Sequence, residues 1–206
     1  MYIFPFYVCY NKKRIKKEAG FMKKAFVLIF LLIFAAAAVL GCSRDAKSPD
    51  FQFDQKGNYA GFLNLPTNYT FEDAQKDEIF ATLDSGAAVN QNVWDSFIEN
   101  ASQGKNAAIR MARFYTDDPG SPYYLDLFYR DGNYYLFDSS ADDMKKQPYS
   151  YLLTLKGRFG NPKRDSGVIV LANDNTLNFD TVMKSMVSSS MEYIKSVPEF
   201  EVIMFV

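Results

Sequence analysis

Apolar and polar positions alternate from Ala107 to Phe137, and on both sides of that stretch apolar residues recur at helical spacing. Ala108–Tyr115 sets Ile109 and Met111 on one side and Arg110 on the other, which is the pattern of a strand. A loop, Asp117-Asp118-Pro119-Gly120, leads to a second strand, Tyr123–Arg130. Asp131-Gly132 then supplies the two positive-φ positions of a type I′ hairpin and returns Asn133–Phe137 against the strand before it. These three runs predict an antiparallel meander. Upstream, Val93–Gln103 places Val93, Trp94, Phe97, Ile98 and Ala101 on one helical face, with Asn90 or Asn92 as cap and Gly104 as stop. Downstream, Phe179–Ile194 does the same with Phe179, Val182, Met183, Met186, Val187 and Met191, and Pro198 ends it. Trp94, the single tryptophan, reads as a core anchor.

The remaining elements are shorter. Thr70 precedes acids in what would be the first turn of a short helix, and Ile79–Leu83 reads as a strand after it. Ser150–Arg158 is a fourth meander-like strand with Tyr151, Leu153 and Leu155 on one face. A loop at Gly160–Gly167, the apolar strand Val168–Leu171, a turn at Asn173–Asn175 and a closing strand at Phe200–Val206 complete the chain. Strands joined by hairpins and flanked by helices indicate an α+β domain over 56–206, its mainly antiparallel sheet packed on one face by the two principal helices.

A different pattern opens the chain. Lys23 and Lys24 are followed by the uncharged run Ala25–Ala38 and then by Val39-Leu40-Gly41-Cys42. A positive start, an apolar run short for a membrane span and a small residue before cysteine resemble a bacterial lipoprotein signal peptide, here 22–41, with its lipobox. The resemblance implies cleavage between Gly41 and Cys42, a diacylglyceryl lipid on the Cys42 thiol and attachment to the outer face of the cytoplasmic membrane. Leu40 is bulkier than the residue commonest at its place, and an uncleaved N-terminal anchor is the other reading of the same run; both tether the domain. Residues 42–55 then read as the lipidated cysteine and a polar linker in which Phe51 and Phe53 either begin a strand or dock on the body. Residues 1–21 fit no signal peptide, and Lys17-Glu18-Ala19 has a codon set that contains a ribosome-binding sequence ahead of Met22. They are expected to be a mis-assigned upstream start.

Removing 1–41 changes the charge. That stretch holds seven of the 23 Lys and Arg and one of the 24 Asp and Glu, so the other 165 residues are net −7, against −1 for the whole chain. An acidic domain disfavours nucleic acid and anionic headgroups as partners. The chain has no histidine, and of its two cysteines Cys9 lies in the upstream stretch and Cys42 is the lipid acceptor. Ser-His-Asp and Cys-His nucleophile systems and His- or Cys-based zinc sites are excluded, and no cofactor other than the lipid is indicated.

The central stretch carries a second resemblance. Asn92–Gly104, NVWDSFIENASQG, with the Ala108–Tyr115 strand and the Tyr123–Tyr135 hairpin around Asp-Gly, resembles an uncharacterised family of Gram-positive lipoproteins, the domain of unknown function 4362, over roughly Phe80 to Asp138. It implies a lipid-anchored, secreted α+β domain and no particular activity.

Three groups of side chains are candidates for chemistry. Asp138, Asp142 and Asp143 on one loop lack the ordered spacing of a calcium loop and read as a solvated acidic turn, so no metal is expected. Glu72, Asp73 and Glu78 with Asp126 are carboxylates from which a glycosidase pair would have to come. Ser188-Ser189-Ser190 has no dyad lysine or elbow motif and reads as small residues on the second helix. Aromatic residues crowd the meander, and alternation sends part of them to each face. The expected binding surface is therefore a tyrosine-rich sheet face containing Tyr124, Phe128 and Tyr134, suited to a protein, peptide or glycan, while cross-strand pairing that only stabilises the sheet is the competing account. Two functions follow: a non-enzymatic lipoprotein that binds a ligand or protein outside the cytoplasmic membrane, or a carboxylate-based hydrolase of wall glycan or peptide.

Overall fold

A computed structural model describes residues 48–66 and 68–206, within the compact unit Ala46–Val206. The stretches expected to be a signal peptide and an upstream start, the Gly41-Cys42 junction and the first part of the expected linker lie outside the described residues. The elements run α1 Phe71–Lys76, β1 Phe80–Leu83, β2 Ala88–Val89, α2 Gln91–Ser102, β3 Ala107–Tyr115, β4 Asp118–Arg130, β5 Asn133–Asp138, β6 Tyr151–Phe159, β7 Arg164–Ala172, α3 Phe179–Val187, α4 Met191–Ser196 and β8 Phe200–Phe205. The fold is α+β, and its strands form two sheets ordered β2-β1-β3-β4-β5 and β6-β7-β8. Every pairing is antiparallel except β1 with β3.

Local chemistry accounts for most boundaries. Thr70 closes a capping box at α1: its hydroxyl accepts from the Asp73 amide at 3.1 Å and the Asp73 carboxylate accepts from the Thr70 amide at 3.2 Å. Asp131 and Gly132 have φ of 52° and 81°, as a type I′ turn requires, and set the β4–β5 register of the meander. Asn90 starts α2 in left-handed geometry, and its side chain does not cap that helix. The amide instead donates to the carbonyls of Ala74 and Ile79, at 3.0 and 2.9 Å, fastening the end of α1 to the start of α2.

Four expectations are corrected. The Asp117–Gly120 loop is a two-residue hairpin at Thr116-Asp117, because Tyr115 pairs with Asp118 and Asp84 accepts from the Thr116 amide and hydroxyl. The second half of the Gly160–Gly167 loop is strand, since β6 and β7 pair from Phe159–Arg164 onward and leave only 160–163 as the turn. The long helix over Phe179–Ile194 is broken at Ser188. The Ser188 and Ser190 hydroxyls accept backbone amides of Ser190 and Tyr193, at 3.1 and 3.3 Å, drawing those donors away from a continuous helix. Met186, Val187 and Met191 are consequently exposed. Finally, β6–β8 form a second sheet, so the two principal helices cover different sheets.

The layers follow from strand alternation. One face of the larger sheet, with Ile109, Met111, Leu125 and Leu127, packs on Trp94 and Phe97 of α2 and on Ile169, Leu171 and Ile203 of the smaller sheet. The far face of the smaller sheet, with Val168 and Val170, is covered by Phe179, Val182 and Met183 of α3. The Phe179 ring lies against Gly157, where an added Cβ would come within 2.2 Å of it. The other face of the larger sheet is covered by the segment from Phe51 to Ile79. Phe51 and Phe53 dock on that face: the Phe51 ring lies 4.8 Å from Phe128 and the Phe53 ring 5.7 Å from Phe137.

Candidate functional site

The face of the larger sheet beneath the Phe51–Ile79 segment combines aromatic residues with two charges. Register pairs Arg110 of β3 with Asp126 of β4 on that face, and Asp126 is fully buried. Arg110 Nε donates to Asp126 Oδ1 at 2.7 Å, and Arg110 Nη2 donates to Oδ2 and, at 2.9 Å, to the carbonyl of Gly61. Tyr59 Oη donates to the same Oδ2 at 2.6 Å while its ring stacks on Phe137 at 4.1 Å. A carboxylate can stay this deep only because a bidentate cation and a hydroxyl occupy its lone pairs. Gly61 is part of the device, since a Cβ there would sit 2.1 Å from the Tyr59 hydroxyl. Burial pushes the Asp126 carboxyl above its ordinary value, and the hydrogen bonds from Arg110 and Tyr59 pull it back down.

Tyr124 lies two residues before Asp126 and so shares its face. It is only 4% exposed, yet its hydroxyl has no hydrogen-bond partner among the described residues. It lines a cleft of about 400 Å³ together with Arg110, Tyr69, Asp77, Ile79 and the chain from Ser48 to Gln52 and from Ala60 to Pro66. Tyr69 Oη donates to Asp77 Oδ2 at 3.0 Å, and the rings of Tyr69 and Tyr124 are 6.2 Å apart. The Arg110 guanidinium, its side chain 16% exposed, also lies over the Phe62 ring, 5.6 Å from its centre. The cleft is thus lined by a fixed cation, a carboxylate and tyrosine rings, while the unpaired Tyr124 hydroxyl is itself closed to solvent.

These phenols should be visible in an alkaline titration. Burial pushes the Tyr124 hydroxyl up to about 12; it also raises Tyr59 and Tyr69, with Asp126 and Asp77 adding to the effect. A group whose value rises on folding contributes stability that is complete below its unfolded value of roughly 10 and is lost as pH climbs through the folded one. Tyrosinate absorbance is expected to grow in two stages, with these residues in the late stage, and urea midpoints are expected to fall above about pH 10. Ionisation of all tyrosines in one step near that pH, with the fold intact, would contradict the burial described.

The expected tyrosine-rich surface does not form. Tyr124 and Phe128 are buried on one face by the Phe51–Ile79 segment, and Tyr134 lies on the other. Tyr134 pairs with Tyr129, rings 4.8 Å apart, and exchanges backbone hydrogen bonds with Tyr149. Of the three residues, Tyr124 alone reaches the cleft. The carboxylates singled out are not brought together either. Asp73 caps α1, Glu72 and Glu78 are exposed, Asp126 is held by Arg110, Asp138 accepts from Ser140 and Asp143 from Lys145. Among the described residues no group of three or more acidic side chains is placed to hold a metal. Cys42 lies outside the described residues. No family model, curated protein or solved structure matches this chain.

Proposed function

We propose that the chain is a lipoprotein tethered through Cys42 to the outer face of the cytoplasmic membrane, whose domain binds a small ligand in the cleft walled by Arg110, Tyr124 and Tyr69. The tether is supported by the Lys23–Cys42 pattern. Binding is supported by one observation above the others: Tyr124, whose buried hydroxyl has no partner among the described residues, lines a space of ligand size together with Arg110 and Tyr69. Such a group costs stability unless something else completes its hydrogen bond. A protein or glycan ligand would enter by a small group of this kind rather than across an open sheet face. The hydrolase reading has less support, because the carboxylates named for it are committed elsewhere or exposed apart from one another.

The test uses the full-length protein in detergent, screened by thermal shift against amino acids, short peptides and monosaccharides. A ligand at a hundred times its Kd is expected to raise Tm by about 5–10 °C, and Tyr124→Phe to remove most of that shift while leaving the unliganded Tm unchanged or higher. Equal shifts in both proteins, or none in either, would rule the cleft out. In cells, wild type but not Cys42→Ser is expected to take up labelled fatty acid; uptake by neither would remove the lipid anchor.

A further inference from the structure

We infer that the tip of the β6–β7 hairpin is a second membrane contact, basic and apolar, that rests on the anionic headgroups of the bilayer holding the chain. This rests on the tether proposed through Cys42; the cleft plays no part in it. The hairpin stretch Lys156–Arg164, KGRFGNPKR, holds four of the 16 Lys and Arg of residues 42–206 and none of their 23 Asp and Glu. All four basic side chains are exposed, and among the described residues only Arg158 of the four has an ion-pair partner, Asp165 at 3.5 Å. The acidic sum that argues against headgroups for the domain as a whole is therefore reversed at this tip.

Strand pairing brings apolar surface to the same end of the smaller sheet. Phe159 pairs with Arg164 and Lys156 with Gly167; Gly167 exchanges two backbone hydrogen bonds with Val206, and Phe205 pairs with the adjacent Val168. Phe159, Phe205 and Val206 are 40, 53 and 59% exposed. Lys156, Arg158, Gly167 and Val206 also line an open groove of about 600 Å³, where the glycine has no side chain to fill it and a phosphodiester headgroup has room beside two cations. A bilayer satisfies both parts of this end, its anionic headgroups taking the Lys and Arg and its interface the phenyl rings. The tether selects the bilayer among anionic surfaces. Phe51 is docked on the domain, and the nine residues from Ser43 to Phe51 reach at most about 30 Å, so even a weak contact acts at high effective concentration.

Full-length protein carrying Phe159→Trp, taken from detergent into vesicles that contain bromine-labelled phosphatidylcholine, reports the contact; the native tryptophan, Trp94, is buried and serves as internal control. The expected result is loss of the new indole's emission on vesicles with about a third phosphatidylglycerol, none on phosphatidylcholine alone, and recovery at about 1 M salt, where charges are screened within a few ångströms. Each Lys or Arg near an anionic bilayer favours contact about fivefold. Lys156→Gln with Lys163→Gln and Arg164→Gln is therefore expected to lower the ratio of docked to free tips about a hundredfold at unchanged Tm. Quenching that is equal on neutral vesicles, absent on anionic ones or kept by the glutamine variant overturns the proposal. An emission shift with soluble polyglutamate and no quenching on vesicles would assign the tip to an acidic protein instead. Flotation of the same samples tests the tether separately. Protein that floats with both vesicle types but is never quenched keeps the tether and loses the tip. Protein that floats with anionic vesicles alone, and not as the glutamine variant, keeps the tip and loses the tether; flotation with neither removes both.

Discussion

Replacing Asp126 with alanine is expected to lower the unfolding free energy by about 3–5 kcal/mol, the range for removing one partner of a buried ion pair. The carboxylate is fully buried and receives two donors from Arg110 and one from Tyr59. Its loss leaves a guanidinium 16% exposed without its counter-charge and a buried phenol without an acceptor. Arg110 also lines the cleft, so ligand binding there should weaken together with stability. A urea melt of the variant reads the first effect. Asp126→Leu combined with Arg110→Met separates pair from fold: it removes both charges at similar volume and should recover much of the loss, while binding stays absent. If Asp126→Ala costs under about 1 kcal/mol, as an exposed surface pair would, the network is not the buried device described.

The fold was legible wherever local signals and tertiary packing agree. Thr70, Asp131-Gly132 and the Trp94–Phe97–Ala101 face each act over a few residues, and each lies where its own chemistry puts it. The failures come from competition that periodicity does not register. Met186, Val187 and Met191 keep helical spacing on paper, but Ser188 and Ser190, between Val187 and Met191, offer the backbone other partners, and the helix ends. Asn90 was legible as a helix cap but serves the preceding helix instead. That β6–β8 leave the first sheet is a long-range matter: nothing in Ser150–Arg158 says which strand it will pair with.

The candidate site shows the same division. Alternation places Asp126 between Tyr124 and Phe128, and Arg110 between Ala108 and Ala112, so both charges share a face with apolar neighbours. That juxtaposition is visible in the sequence, and a charge flanked so on both strands is a signal of a buried pair. What the sequence withheld is the cover. Phe51, Phe53, Tyr59 and Phe62 come from a stretch with no regular period, half of it read as linker, yet they convert an expected open tyrosine face into an interior.

Phe128 carries the second large effect, and with it the choice between surface and core. A phenylalanine on an exposed binding face can be cut to alanine with little change in stability, usually within about 0.5 kcal/mol. Phe128 is 1% exposed, with the rings of Phe51, Tyr59 and Phe137 at 4.8, 5.7 and 6.0 Å. Phe128→Ala is therefore expected to cost about 3–5 kcal/mol, the range for emptying a buried phenyl site. Part of that comes from the cover: without the ring, Phe51 loses a neighbour that holds the chain from Ser48 to Gln52 against the sheet, and that chain lines the cleft. Proteolysis should accordingly cut the variant first near Phe51–Phe53, ahead of global unfolding. Phe128→Leu, which keeps most of the volume, should restore the larger share of the stability. A stable Phe128→Ala protein that had lost only its ligand would return Phe128 to the surface and reverse the account of this face.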